Sequence, residues 1–219
     1  LGPLLFCLYV NDLPLHLSSD MVSCDMFADD ATLHTPDKDI SVVSSRLQQS
    51  LHEVSLWCKN NMMVLNPSKS ECMVLSTRQK HQLGPLPLCL SLSDSIIKQV
   101  EQHRLLGLIV DNHLLWKDHI NHICKKISKN LFMLAKLKPL TDTNTRKVFY
   151  NAHVRSHVDY ASTVWDGSSD ANLKRLNALH RRAAKLILYE PNLSTENKLK
   201  RLEILPLSLY LQFNKAVFR

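Results

Sequence analysis

The sequence predicts an α+β chain: a mixed part over residues 1–111 followed by an all-α part over 112–219. Three observations carry this. In the first part, short apolar runs alternate with turn residues, and one stretch, CDMFADDATLH at 24–34, has the outline of a hairpin. Between 40 and 58, and again beyond 117, apolar residues recur at spacings of three and four, the period of an amphipathic helix. Charge divides with the pattern: residues 1–111 carry eight Lys/Arg and twelve Asp/Glu (net −4), whereas 112–219 carry nineteen against eight (net +11).

The elements follow in order. Residues 3–10 suit a short helix, ended by the turn chemistry of Asn11-Asp12-Leu13-Pro14. Residues 21–27 and 31–34 read as strands flanking Ala28-Asp29-Asp30. Ile40, Val43, Leu47, Leu51, Val54 and Cys58 then form one apolar stripe, with Asp37 or Asp39 placed to cap the helix and Trp57 beside its end. Residues 62–65 and 72–76 are strand candidates around the turn Asn66-Pro67-Ser68-Lys69. Residues 88–92 and 96–100 are another pair around Ser93-Asp94-Ser95. LLGLIV at 105–110 is a further apolar run, in which Gly107 suggests a bulge or a close backbone approach. Past a boundary near 111–116, Ile120, Ile123, Ile127, Leu131 and Leu134 keep helical spacing, as do Val148, Ala152 and Arg155. A third helix is expected from about residue 170 to 189.

A hydrophobic content of 45% with 21% charged residues is that of a globular chain and excludes disorder. Six widely spaced cysteines without a CxxC pair point to free thiols and a reducing, intracellular setting, nucleus or cytoplasm. The apolar opening is too short for a membrane span and lacks the form of a signal peptide, so no membrane partner is expected. The chain opens at a leucine and stops inside a helical pattern, so it reads as a piece of something longer.

Adjacent aspartates in a turn are first of all good turn formers. A tight turn can also crowd Asp29 and Asp30 onto one edge, and one or two carboxylates suit Mg²⁺, which keeps several waters. Two such ions about 4 Å apart can activate a hydroxyl and steady a leaving oxygen in phosphoryl transfer. The residues alone leave both readings open. The basic half adds Lys125, Lys126, Lys129, Lys136 and Lys138 on one predicted helix and Lys174, Arg175, Arg181, Arg182 and Lys185 on another. Such faces suit sequence-independent phosphate contacts, or simply solubilise a helix. Trp116, Tyr150 and Trp165 can stack on bases or fill a core, and their size favours the core. His113, His119, His122 and Cys124 lie close in sequence, but the helix turns Cys124 away from His119, and zinc wants four convergent ligands. His153 and His157 lack the glutamate of a zinc-protease helix. A surface or phosphate-facing role suits these histidines better.

LGPLLFCLYVNDLP, FADDATL, LWCKNNMMVLNPSKSECMVLS and HRLLGLIVDNHLLWKDHI follow one another over about 120 residues. This succession resembles the reverse transcriptase of non-LTR (LINE-type, jockey-like) retrotransposons. HVRSHVDYASTVW and LKRLNALHRRAAKLIL are similar, more loosely, to the region after the polymerase core. The resemblance implies a partial polymerase palm over 1–111, with antiparallel strands, packed helices and the FADD hairpin. A basic, helical, thumb-like region over 112–219 would follow. It implies an RNA-directed DNA polymerase, a nucleotidyltransferase that extends a primer 3′-hydroxyl with deoxynucleotides on an RNA template by two-metal transfer, using Mg²⁺ or Mn²⁺. Asp29 would ligate metal, Asp30 would play a weaker or indirect part, and the small Ala28 would let the primer end approach. Lys69 would neutralise or protonate the departing pyrophosphate, unless it is only a turn lysine. Leu106-Gly107 would lie where the primer is gripped. With Gly107, the residues Lys125, Lys126, Lys129, Lys174, Arg175, Arg181 and Arg182 would contact nucleic acid. The partners would be RNA template, DNA primer or duplex, and deoxynucleoside triphosphates.

In that family a third carboxylate comes from a strand before LGPLLF, and this sequence holds neither it, the fingers, nor the glutamine-glycine turn. The chain alone is therefore expected to be inactive. One rival is a non-catalytic nucleic-acid-binding remnant of a decayed element. Another is a metal-dependent nuclease, which would need more ligands near FADD, where alternation puts Asp25 on the side of Phe27.

Overall fold

Helix α1 (Gly2–Val10) carries Pro3 in its first turn, where a missing N–H does no harm, and a 3₁₀ turn (Leu13–His16) follows it. Strands β1 (Ser23–Phe27) and β2 (Asp30–His34) pair antiparallel, with Phe27 opposite Asp30. Helix α2 (Ile40–Asn60) is capped by Asp39, whose carboxylate accepts from the Ser41 N–H at 2.9 Å. Asp37, the other expected cap, accepts instead from the Asp39 N–H and pairs with Arg46 at 3.0 Å. The computed structural model describes residues 1–82, 84, 86–93 and 95–217, so Asp94 of the expected turn at 93–95 lies outside the described residues.

The α2 stripe serves two cores. Ile40, Val43, Leu47 and Leu51 pack on Leu88, Leu90, Leu92 and Ile97, while Val54, Trp57 and Cys58 join Val10 and Leu13. Between and beyond them lie β3 (Glu71–Cys72), the short α3 (Arg78–Gln82), β4 (Ser91–Leu92), β5 (Ser95–Ile96) and β6 (Lys98–Gln99). These do not extend one antiparallel sheet. β4 and β5 pair antiparallel, but β3 and β6 pair parallel, and the expected strands over 72–76, 88–92 and 96–100 shrink to two-residue ladders. Side-chain amides take the place of the missing ladder bonds. Gln99 accepts from the Leu88 N–H (2.8 Å) and donates to the Leu86 carbonyl (3.0 Å); Gln48 on α2 clamps Ser91 in the same two-handed way. Residues 62–65 form no strand: Met63 and Leu65 pack inward, but no ladder forms, and Met62 and Val64 are exposed.

The chain divides into two compact units, Leu1–His103 and Arg104–Arg219. The division precedes the expected one at 111/112 because the apolar run at 105–110 is not one strand. It folds as a hairpin of β7 (Gln102–Leu105) and β8 (Leu108–Asp111), and β8 packs on the helix that follows. Leu106 (φ 45°) and Gly107 (φ 86°) are both left-handed, the signs a type I′ turn demands, and glycine carries the second at no steric cost.

Asp111 sets the next helix. Its carboxylate accepts from the His113, Leu115 and Trp116 N–H groups at 3.1, 3.0 and 2.8 Å, holding the loop that leads into α4 (Lys117–Leu137). Ile120, Ile123, Ile127, Leu131 and Leu134 on α4 are all buried, each contributing about 1.5–3 kcal/mol. Asp142 caps α5 (Thr143–Tyr150), which runs through a π-turn (Asn151–Arg155) into α6 (Ser156–Asp159). The buried face here is Arg146, Tyr150, Val154 and Val158; Val148, Ala152 and Arg155 are exposed, contrary to the sequence expectation. The reason is Arg146, whose guanidinium donates to the carbonyls of Lys138, Thr141 and Ile187 and so enters the core. α7 (Ser162–Trp165), α8 (Asp170–Ile187), α9 (Thr195–Arg201) and α10 (Leu207–Val217) complete the unit. No helix among the described residues is long and apolar enough to cross a membrane. Replacing Asp111 with Ala should strip three backbone donors of their acceptor and lower the unfolding free energy by about 1–3 kcal/mol in urea denaturation. An unshifted midpoint would show that the loop is held by other bonds.

Candidate functional site

The β1–β2 ribbon has two unlike faces. Met26 and Leu33 lie against the core of Val10, Leu13, Val54, Trp57 and Cys58. The opposite face carries Asp25, Phe27 and Asp30, and Asp25 pairs with His34 at 3.4 Å. The open end is closed by the Thr35 hydroxyl donating to the Met21 carbonyl (2.7 Å).

Ala28 and Asp29 form the two-residue turn, with Ala28 at φ 54°. A left-handed alanine is strained, a state that persists only where the surroundings impose it. Asp30 belongs to the turn only by adjacency, since it is the first residue of β2. Asp29 and Asp30 are both exposed, and neither carboxylate forms a hydrogen bond or ion pair among the described residues. Two hard oxygen donors with no competing cation fit a hydrated Mg²⁺ or Mn²⁺, which accepts one or two carboxylates and keeps its waters. Among the described residues, no three His, Cys, Asp or Glu converge as a metal cluster. Lys69 ends a 3₁₀ turn (Pro67–Lys69) that Asn66 caps by accepting from the Ser68 N–H at 3.1 Å. It is exposed, and no bond joins it to Asp29 or Asp30.

The basic residues lie in the second unit. Lys125, Lys126 and Lys129 are exposed on α4, and Lys174, Arg175, Arg181 and Arg182 on α8, which packs beside it. Arg175 donates to Asn121 of α4, and Arg181 pairs with Glu196. Four other acids are engaged elsewhere, Asp159 with Arg155, Asp166 with Lys215, Glu190 with Arg201 and Glu203 with Lys147, while Asp118 and Asp170 stand in the first turns of α4 and α8. Lys125, Lys126, Lys129, Lys174 and Arg182 therefore have no ion-pair partner among the described residues. Gly107 sits at the tip of the β7–β8 turn, beside the Tyr160 ring, whose hydroxyl donates to the Leu106 carbonyl. Trp116, Tyr150 and Trp165 are core residues and offer no stacking surface.

Sequence reasoning did not foresee that His119, His122, Lys126, Arg104 and His157 line one pocket. The i, i+3 spacing of His119 and His122 was the available signal, but His157 comes from another element. His119 is buried, and burial, then His122 and Lys126, hold its pKa below the usual 6.5. Cys124 is buried on the side of Arg175, away from this pocket. A further histidine, His180, donates from Nε2 to the Leu205 carbonyl and so accepts at Nδ1 from the Tyr150 hydroxyl, both at 3.0 Å. Burial depresses its pKa too.

A family model described as "Reverse transcriptase (RNA-dependent DNA polymerase)" matches residues 1–110. The chain is similar to the probable RNA-directed DNA polymerase from transposon X-element of Drosophila melanogaster, 25% identical over 198 residues, covering 85% of this chain and 21% of that protein. The corresponding protein from transposon BS of the same species is 25% identical over 197 residues, with the same coverage. The RNA-directed DNA polymerase from mobile element jockey, again of D. melanogaster, is 22% identical over 200 residues, 87% of this chain and 21% of its own length. The chain spans about a fifth of the length of these relatives. No solved structure matches it.

The depressed histidines set a pH response. For a histidine whose folded pKa lies below 6.5, the unfolded chain takes up the proton first, so stability is lost as pH falls from about 6.5 toward the folded value. His119 and His180 should each add a slope of up to about 1.4 kcal/mol per pH unit in that window. Thermal unfolding between pH 7.5 and 5 checks this, and a flat profile would show that both protonate in the folded state.

Proposed function

We propose, for a chain that belongs to the reverse transcriptase (RNA-dependent DNA polymerase) family, that it carries the acidic turn and the duplex-holding helices of a retrotransposon RNA-directed DNA polymerase. The observation that carries this reading is the Ala28-Asp29-Asp30 turn. Two solvent-facing carboxylates without a neighbouring cation sit on a ribbon anchored to a core, inside the segment that the family model matches. Mg²⁺ or Mn²⁺ bound there would supply the positive charge that promotes attack of a primer 3′-hydroxyl on a deoxynucleoside triphosphate and release of pyrophosphate.

In this reading Asp29, at the tip, is the metal-ligating carboxylate. Asp30 tunes the charge beside it from the first position of β2. Lys69, exposed and without an ion-pair partner among the described residues, is the cation assigned to the departing pyrophosphate. Lys125, Lys126 and Lys129 on α4, with Lys174, Arg175, Arg181 and Arg182 on α8, hold the RNA template and DNA primer through their phosphates, without reading sequence. Gly107, exposed at the tip of its turn beside the Tyr160 ring, offers backbone rather than a side chain to the primer. Residues 1–111 act as a partial palm and 112–219 as a thumb-like region, in a protein working inside the cell.

We infer also that the chain alone turns over poorly, since two carboxylates leave a divalent ion loosely placed and catalysis of this kind is mostly positioning. The absence of a third convergent ligand among the described residues favours, as a second reading, a nucleic-acid-binding piece without catalysis.

Paramagnetic broadening by Mn²⁺ should centre on the β1–β2 turn and disappear in Asp29→Ala; equal broadening in both proteins would sink the metal assignment. Affinity for an RNA–DNA duplex should fall steeply with salt, and Arg182→Ala should reduce the log–log slope by about 1. A salt-independent affinity would remove the nucleic-acid reading. Efficient primer extension by the isolated chain would exclude the second reading and overturn the poor turnover inferred here.

A further inference from the structure

The pocket of about 300 Å³ in the second unit lies among the β7–β8 turn, α4 and the helical turn that follows the π-turn. Arg104, His122, Lys126 and His157 line it, and no carboxylate among the described residues does. His119 adds a buried donor: its Nδ1 accepts from the Ile109 N–H at 3.2 Å, so its proton sits on Nε2, which is buried and has no partner. Leaving such a donor unmet costs about 1–3 kcal/mol unless something supplies an acceptor. The π-turn just before Ser156 is a departure from regular helix that commonly marks a working site.

These groups crowd positive charge against one another. Burial comes first, and then Lys126, Arg104 and Lys125 press down on His122. Lys126, His122 and His153 do the same to His157, again after burial. The one remaining ionisable group in the lining, the Tyr160 phenol, is engaged as a donor to the Leu106 carbonyl. A bound anion would reverse the sense of every one of these interactions, and a tetrahedral oxyanion offers acceptors on all sides. The absence of a convergent His, Cys, Asp or Glu cluster among the described residues speaks for an anion here rather than a metal.

We infer that this pocket is a phosphate site, in which Arg104, Lys126 and the imidazoles of His122 and His157 hold a phosphate group, with His119 in the wall beside it. The phosphate is either a free inorganic anion or a diester of a polynucleotide backbone. The site lies outside the acidic turn; its backbone-phosphate form rests on the duplex-holding role proposed above for Lys126, and its free-phosphate form does not.

The test follows the histidine imidazole resonances of the full chain by NMR as inorganic phosphate, pyrophosphate or an RNA–DNA duplex is added. Saturable shifts at His122 and His157 with the small anions support a free-phosphate site. Shifts with the duplex alone support a backbone-phosphate site. No saturable shift with any probe overturns the inference. Lys126→Gln, an exposed change that spares the core, should weaken binding about tenfold, and His157→Gln gives an independent second loss. Binding undiminished in both variants, with their unfolding transitions intact, also overturns it. A pH series with sulfate, whose charge is constant from pH 5 to 8, should show affinity rising as pH falls through the histidine range. Asp29→Ala should leave every one of these responses unchanged, so failure of the acidic turn and failure of this pocket are read separately.

Discussion

A two-stranded ribbon of five residues a side is marginal in water by itself, and everything proposed for the acidic turn rests on how that ribbon is held. Met26 and Leu33 do it by sharing a core with Val54, Trp57 and Cys58 of α2. Because side chains alternate along a strand, committing Met26 inward commits Asp25 and Phe27 outward, and the cross-strand register then places Asp30 with them. The left-handed Ala28 is the conformation needed to close the ribbon in two residues. Exposure of the carboxylates is thus a consequence of apolar packing one layer beneath them.

In the second unit the equivalent constraint is electrostatic. A strongly basic segment must find acceptors for its buried cation and partners for its acids. Arg146 goes inside because three carbonyls meet its guanidinium, and Asp111 holds a loop because three N–H groups meet its carboxylate. Four of the acids are spent on Arg155, Lys215, Arg201 and Lys147, away from α4. Exposed ion pairs of that kind add little stability, but they decide which cations stay uncompensated. The lysines of α4, with Lys174 and Arg182 of α8, are what remains for a polyanion.

The helical periodicities at 40–58 and 120–134 were legible because an apolar stripe needs only local spacing, and a cap at Asp37 or Asp39 was legible for the same reason. The stripe at 148, 152 and 155 was misread because the true buried face begins with an arginine. A buried guanidinium can be recognised only once the carbonyls around it are known. The run at 105–110 read as one apolar run with a bulge or close approach at Gly107, because Leu106 carries no turn signature; only the pairing of β7 with β8 shows Leu106 at positive φ. The candidate at 62–65 formed no strand, and those at 88–92 and 96–100 paired over only two residues each, since a ladder needs a partner backbone and the amides of Gln48 and Gln99 supply bonds to Leu86, Leu88 and Ser91 instead.

By itself the sequence determined the family, through the order of its motifs, and the polarity of the two halves, through composition. It also determined that FADD would sit at a hairpin. These are properties of residue type and local spacing. Tertiary structure decided which residues share a surface. It set the Asp29 and Asp30 carboxylates in solvent without a partner among the described residues, drew Trp116, Tyr150 and Trp165 into the core, and brought His119, His122 and Lys126 of α4 together with Arg104 and His157 from separate elements. Convergence of that sort depends on how helices pack and on where buried charge is satisfied, and neither is written in local periodicity.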